Sequence, residues 1–448
     1  MRKLARWCSI ILILILTLTA CSTTNEEKQD QEVKKEVKND ASEKDATDDT
    51  ASGKSFASEG YPEINEKIAN MGDVTLEVWL AADYSEQAPL TNTMDKFKQS
   101  YPNVNIKVTG IVWEDMMNKT RLAVNGGAAP DMAHQHAFVA GNQGFAEPID
   151  DLWTEWGAEE EFLPGAMEDV TWGGTKYGVP LDINTIMLIY NKEIYEQEGI
   201  VEAPNTLEEL LEVSKQLSKE DGSRYGFVSS ASSWNLFGVL VANGGDLLEN
   251  GQPTLNDPVV INTLTDYIQL SKEKASPVPP PQKRQSDHPV AMFGSERAVQ
   301  FISGPWDLAR IKNEYPEMYD KVGTAVVPGV GAGAVSGGGS LFIPKGAANK
   351  EVSFELMKWF TSDACAMAMA KEMGRYPVKK DQINDPFFND PLMVPFIETL
   401  ADAKPYKLEA FAESNDAWRN AIRASFDGGD PEELLNSAQK IAENEIGQ

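Results

Sequence analysis

At 448 residues the chain is longer than one hydrophobic core usually organises, so at least two folded domains are expected. Its 69 acidic and 40 basic residues give a net charge of -29, which argues against a nucleic-acid partner and disfavours an anionic ligand unless a local Arg holds it. Only 3 cysteines are present, Cys8, Cys21 and Cys365, so no disulfide framework organises the fold.

The first 20 residues, "MRKLARWCSIILILILTLTA", place Arg2, Lys3 and Arg6 ahead of an apolar run. That run is short of the about 20 residues a membrane span needs and reads as an export signal. The exit Leu18-Thr19-Ala20-Cys21 resembles the bacterial lipobox, which implies cleavage before Cys21 and lipidation of its thiol. The protein is then expected outside the cytoplasm, anchored to the outer face of the cell membrane. Residues 21–72 are polar and expected to form a disordered linker, with order starting near Asp73. Cys365, in the apolar "SDACAMAMAK", is expected as a small buried side chain.

Beyond the linker, "VTLEVWLA" (74–81) alternates as a strand. "APLTNTMDKFKQSYP" carries Leu90, Met94 and Phe97 at helical spacing, and "VNIKVTGIV" (104–112) is a second strand. This βαβ opening favours a largely parallel sheet covered by helices, with ligands meeting the carboxyl ends of strands. A helix from Trp113 leads into the turn "GGAAPDM" and a short strand on which His134 and His136 share a face. An apolar strand follows at Ile186 to Tyr190. "PNTLEELLEVSKQL" is a helix with a Thr206/Glu209 capping box and Leu207, Leu210, Leu211 and Leu217 as its buried stripe. Helices are also expected over "SSWNLFGVLVANGG" and "NDPVVINTLTDYIQLSKEK". A glycine-rich crossover is expected between strands "VGTAVVP" and "GSLFIP", and a helix over "NKEVSFELMKWF". The remainder reads as mostly helical.

Four segments resemble the extracellular solute-binding proteins of sugar ABC importers, the maltose-binding type: "YGVPLDINTIMLIYNKEIYEQEGI", "MFGSERAVQFISGPWDLARI", "GGGSLFIPKGAANKEVSFELMKWFTS" and "GRYPVKKD". The resemblance implies an α/β fold of two lobes, the periplasmic-binding-protein fold of the second class (class II), joined by three hinge crossings. These are expected near Pro180 to Asn184, Val326 to Gly333 and Ala370 to Arg375. Lobe 1 would hold 73–182 and 334–370, and lobe 2 would hold 183–333 and 371–448. It further implies a monomer that binds a carbohydrate, an oligosaccharide in the reading adopted, in the interlobe cleft. The carbohydrate would pass to transmembrane permease subunits served by a cytoplasmic ATPase. No cofactor, metal or nucleic acid is implied.

Trp306 follows Gly304-Pro305, and Pro suits the first turn of a helix because its missing N–H is not needed there. A sugar presents apolar C–H faces as well as hydroxyls, so an indole can carry a ring while acids and amides take its edges. Trp306 is the expected stacking residue, and Trp113 and Trp234 also fall near helix starts. Hydroxyl acceptors are expected from Asp182 at the first crossing, Asp131 at a strand end, and Asp83 with Tyr84 after the first strand. Arg375 and Tyr376 follow the third crossing, where Arg375 serves either a sugar hydroxyl pair or an interlobe salt bridge. Gly338 and Gly339 are expected to let backbone amides approach the ligand. His134 is a candidate hydrogen-bond partner, since two histidines without a third firm ligand make a weak metal signal. The alternatives are a binding protein for a polyamine or a phosphorylated polyol, or a secreted glycan hydrolase. No acid pair, G-x-S-x-G or H-E-x-x-H motif supports catalysis.

Overall fold

A computed structural model of the chain describes residues 53–280, 288–331, 333–400 and 403–446. The export signal, Cys21 and the linker up to residue 52 lie outside the described residues. Residues 53–72 correct the linker boundary, because they pack against the folded body. Phe56 and Ile68 are 2% and 1% exposed, and Tyr61 stacks on Trp359 with centroids 5.1 Å apart. The few apolar residues in this polar stretch are spaced to reach one surface, and an average over the whole linker conceals them.

The first lobe opens as its alternation dictates. Strand β1 (Val74–Ala81) buries Leu76, Val78 and Leu80 on one face, and helix α1 (Ala88–Ser100) lays Leu90, Met94 and Phe97 on the same core. Strand β2 (Val104–Ile111) pairs parallel with β1 in register Val74↔Val104, helix α2 (Trp113–Asn125) follows, and β3 (Met132–His134) pairs parallel on the other edge of β1. Strand β3 ends at His134, and His136 is the N-cap of helix α3 (Ala137–Asn142). The two histidines therefore do not share a strand face as expected.

Strand β4 (Gly178–Asn184), fully buried, belongs to this first sheet, whereas β5 (Met187–Asn191) belongs to a second one. Only Thr185 and Ile186 separate them. The second lobe then adds α4 (Leu207–Leu217), β6 (Tyr225–Val228), α5 (Ser233–Ala242), α6 (Pro258–Lys272), β7 (Ala298–Ser303), α7 (Pro305–Glu314) and β8 (Val322–Ala325). Its sheet runs β8-β5-β7-β6, with β6 and β7 parallel and the other pairs antiparallel. At the start of α4 the Thr206 hydroxyl accepts from Glu209 N at 3.1 Å, while the Glu209 carboxylate accepts from Asn205 N at 2.7 Å.

Strand β9 (Ala334–Phe342) returns to the first sheet, pairing antiparallel with β3 and β4. Gly337, Gly338 and Gly339 lie inside this strand, not in a loose crossover before it. Helices α8 (Lys350–Phe360) and α9 (Asp363–Met373) complete the cover of lobe 1, with Cys365 1% exposed and burial pushing its thiol up to about 12. The chain beyond α9 is less helical than its composition suggests. Leu163 N donates to Val378 O and Lys380 N to Glu161 O, so residues 378–380 still bond to the first lobe. Strand β10 (Ala403–Pro405) pairs parallel with the start of β9. Then Tyr406 and Leu408 enter the core of lobe 2, where α10 (Ala412–Phe426) and α11 (Pro431–Ile446) pack with α5 and α6.

Candidate binding cleft

Each of the main site residues stands at the end of an element that the two sheets bring together. Tyr84 follows β1, and its ring is 3% exposed. Its hydroxyl donates to Asp182 Oδ1 at 3.1 Å, and Asn184 Nδ2 donates to Asp182 Oδ2. Burial raises the Asp182 carboxyl to about 6, with Arg375, Tyr84 and Asn184 holding it down in part. Asn184 also accepts from Tyr376 N at 3.4 Å. This side chain was not singled out in the sequence, although Asp182 and Asn184, two apart on one strand, necessarily face the same way.

His134, at the end of β3, is fully buried and meets Tyr84 and Trp113 edge-on, with centroids 4.5 Å and 5.3 Å away. Ala81 N donates to its Nδ1 at 3.4 Å, which leaves the neutral ring's hydrogen on Nε2. Burial first, then the nearby Arg375 and His136, pull this imidazole down to about 3, so it is uncharged at physiological pH. Nε2 has no protein partner in the structure. A Cβ on Gly339 would stand 2.3 Å from that nitrogen, so the glycine makes room for the imidazole. Gly338, at φ +119°, has a similar steric cause: a Cβ there would lie 2.1 Å from Asp182 O. These two glycines admit a ring and a neighbouring strand.

From lobe 2, Gly304 caps α7 and Pro305 fills its first turn, as the sequence predicts. The Trp306 ring folds back over Gly304, where a Cβ would come within 2.1 Å of it. Trp234, at the start of α5, lies with its centroid 5.9 Å from Trp306 and rests against Gly337 of β9. Asp307 turns inward and accepts from Ser303 Oγ at 2.6 Å, and burial raises its carboxyl to about 6. Arg375 completes the constellation. Its guanidinium carbon lies 4.8 Å from the Tyr84 ring centroid and 5.2 Å from that of Trp306, while Nη2 donates to Asp83 Oδ2 at 3.1 Å.

Two expected residues stand elsewhere. Asp131 precedes β3 and lies at the opposite end of that short strand from His134. One oxygen accepts from Glu77 N at 2.9 Å, and the other accepts from the backbone and side-chain nitrogens of Asn349, each at 3.0 Å. It ties β1 to the entry of α8. Tyr376 is fully buried against Phe388 and Phe396, and its carbonyl accepts from Ile183 N at 3.0 Å. The alternation of an extended segment sends Tyr376 into the core when Arg375 faces the cleft.

Beside Trp113 lies a second polar group, in which the sequence pointed to His136 but not to its partners Asp169 and Glu409. His136 Nδ1 is 2.6 Å from Asp169 Oδ1, and Nε2 is 3.5 Å from Glu409 Oε2. Burial lowers the imidazole's proton affinity, but Asp169 and Glu409 overcome it and bring the ring up to about 9. Among the described residues, no group of three His, Cys, Asp or Glu side chains is placed to hold a metal ion. The meeting of the lobes therefore brings together aromatic rings from both sides, the buried carboxylates of Asp182 and Asp307, and a buried, neutral imidazole with an unpaired nitrogen. That is a set suited to a polar, ring-shaped solute.

Comparison with known proteins gives a concordant picture. Residues 92–395 match the family model described as bacterial extracellular solute-binding protein. The chain is 25% identical over 352 residues to the maltotriose-binding protein of Pyrococcus abyssi, covering 75% of this chain and 73% of that protein. An ABC transporter solute-binding protein from Thermotoga lettingae bound to alpha-D-tagatose superposes with a TM-score of 0.74 at 23% identity, covering 83% of this chain and 100% of that one. Maltose-bound MalE3 of T. maritima gives a TM-score of 0.73 at 23% identity, covering 82% and 99%.

Proposed function

The chain belongs to the bacterial extracellular solute-binding protein family, and from that membership we propose that it captures an oligosaccharide between its lobes and delivers it to the permease of an ABC importer. It is a binding protein and not an enzyme. The observation that carries the sugar reading is the meeting of Tyr84 from lobe 1 and Trp306 from lobe 2 on the one Arg375 guanidinium, beside the buried Asp182. Aromatic rings can receive the C–H faces of a pyranose, while Asp182, Asp83 and His134 Nε2 serve its hydroxyls. Trp234 beside Trp306, and Trp113 beside His134, add further aromatic surface to this reading. The trisaccharide named for the Pyrococcus relative supports an oligosaccharide over a single sugar.

The class II architecture is part of this reading, with crossings at β4 to β5, β8 to β9 and β10. We put the third later than Arg375, a reading supported by the bonds of residues 378–380 to lobe 1. Lobe 1 then holds 53–184 and 334–405, and lobe 2 holds 185–333 and 406–446. Lipidation at Cys21 would tether a monomer to the outer face of the membrane. Ligand contacts on both lobes would favour the closed arrangement.

Calorimetric titration of the purified protein, stripped of bound solute, against mono-, di- and oligosaccharides tests the proposal. Binding of one oligosaccharide class, weakened about 5- to 150-fold in Trp306→Ala, is expected. Silence across the sugars with binding of a polyamine or a phosphorylated polyol would overturn it. Unchanged affinity in Trp306→Ala with a lower melting temperature would remove the stacking role.

A further inference from the structure

Arg375 is held by three groups from the two lobes. Asp83 and Tyr84 come from the loop after β1 in lobe 1, and Trp306 comes from the first turn of α7 in lobe 2. Its position is enforced from behind. Gly374 is in the left-handed region at φ +64°, and a Cβ there would stand 2.4 Å from Pro305 O, so the residue preceding Arg375 is pressed against the start of α7. The Arg375 side chain is 18% exposed, whereas that of Asp83 is 59% exposed. The cation therefore lies within the aromatic walls, while its carboxylate partner reaches it from the rim.

A planar cation on two aromatic faces occupies the same kind of slot that a sugar ring needs, flat and apolar on its faces with polar groups at its edge. Two groups cannot occupy that space together. We propose that the Arg375 guanidinium is a built-in occupant of the stacking slot, bridging the lobes through Tyr84 and Trp306, and that a sugar must turn it aside to bind. This inference rests on the sugar reading of the cleft, and it assigns Arg375 the opposite role from a hydroxyl donor.

The two roles differ in sign. A donor strengthens the complex, so its removal weakens binding. An occupant stabilises only the protein without sugar, so its removal strengthens binding, because a ligand no longer works against that interaction. Arg375→Ala is expected to bind the oligosaccharide about 5- to 30-fold more tightly, the range set by exchanging one or two cation-aromatic contacts. Arg375→Lys, which keeps a cation able to rest on the rings, is expected to show a smaller gain. Unchanged or weaker binding in Arg375→Ala would overturn the proposal.

A second measurement needs no sugar. With the bridge removed, small-angle scattering of Arg375→Ala without ligand should show a larger radius of gyration than the parent protein, and scattering that is identical would overturn the bridging. If no sugar binds the parent protein, the sugar reading fails, while the scattering comparison still decides whether Arg375 joins the lobes.

Discussion

The ion cluster at His136 makes a pH-dependent prediction whose size follows from its geometry. Asp169 and Glu409 flank the imidazole, Trp113 and Phe138 pack around it, and its side chain is 12% exposed. Asp169 belongs to lobe 1, whereas Glu409 follows β10 in the segment that enters lobe 2. The folded environment raises the imidazole from 6.5 to about 9, because the two carboxylates outweigh the cost of burial. A raised histidine contributes stability that is fully present below its unfolded value and is lost as pH rises through the folded one. Over that interval the folded protein holds the proton that the unfolded chain has released, so stability falls with pH. At about 1.4 kcal/mol per unit, the loss between pH 6.5 and 9 is on the order of 3 kcal/mol. Urea unfolding of the parent protein and of His136→Gln, measured at half-unit steps from pH 6 to 10, isolates this contribution as the difference between the two curves. That difference should shrink steadily above pH 6.5 and level off past 9. The chain has 3 histidines, so ring-proton NMR can follow the titration directly, with His136 changing near pH 9 and His134 unchanged down to about pH 4. A constant difference between the two unfolding curves, or a His136 midpoint near 6.5, would refute the reasoning.

Three further outcomes are expected. Tyr84→Phe removes the hydroxyl that donates to buried Asp182, so unfolding free energy should drop by about 1 to 3 kcal/mol and the carboxyl should titrate above its present value of about 6, as infrared titration can read. Asp131→Ala leaves Glu77 N and the Asn349 nitrogens without their acceptor, so denaturant midpoints should fall while sugar affinity stays within twofold; a tenfold affinity loss in a folded variant would return Asp131 to the cleft. Gly339→Ala places a methyl against His134 Nε2, and it should weaken binding by at least tenfold while Gly72→Ala, whose Cβ meets nothing within 4 Å, leaves affinity unchanged; equal affinities would refute the close approach.

The contrast between Trp306 and Tyr376 shows how far local reasoning reaches. Gly304-Pro305 announces a helix start, and a large ring immediately after it has few places to go, so the position of Trp306 was legible in a few residues. Tyr376 lies beside an arginine in a segment where the sequence suggests a crossing. Its inward direction depends on Phe388 and Phe396, partners that no local pattern identifies. Asp131 illustrates the same limit, since a carboxylate at a strand start can face a ligand or cap a neighbouring loop, and Asn349 decides between them from 218 residues away. Asn184 is different, because period-two alternation on β4 already placed it beside Asp182.

By itself the sequence determined the alternation of strands and helices, the family resemblance carried by four segments, the helix-start position of Trp306 and the burial of Cys365. These are read from periodicity, capping and short motifs, all of which act within a few residues. Only the tertiary structure decided that Arg375 lies on the rings of Tyr84 and Trp306, that Gly339 makes room for His134, and that His136 is charged between Asp169 and Glu409. Each of these brings together groups distant in the chain, and the burial and charge that define their behaviour exist only when both lobes are folded around them.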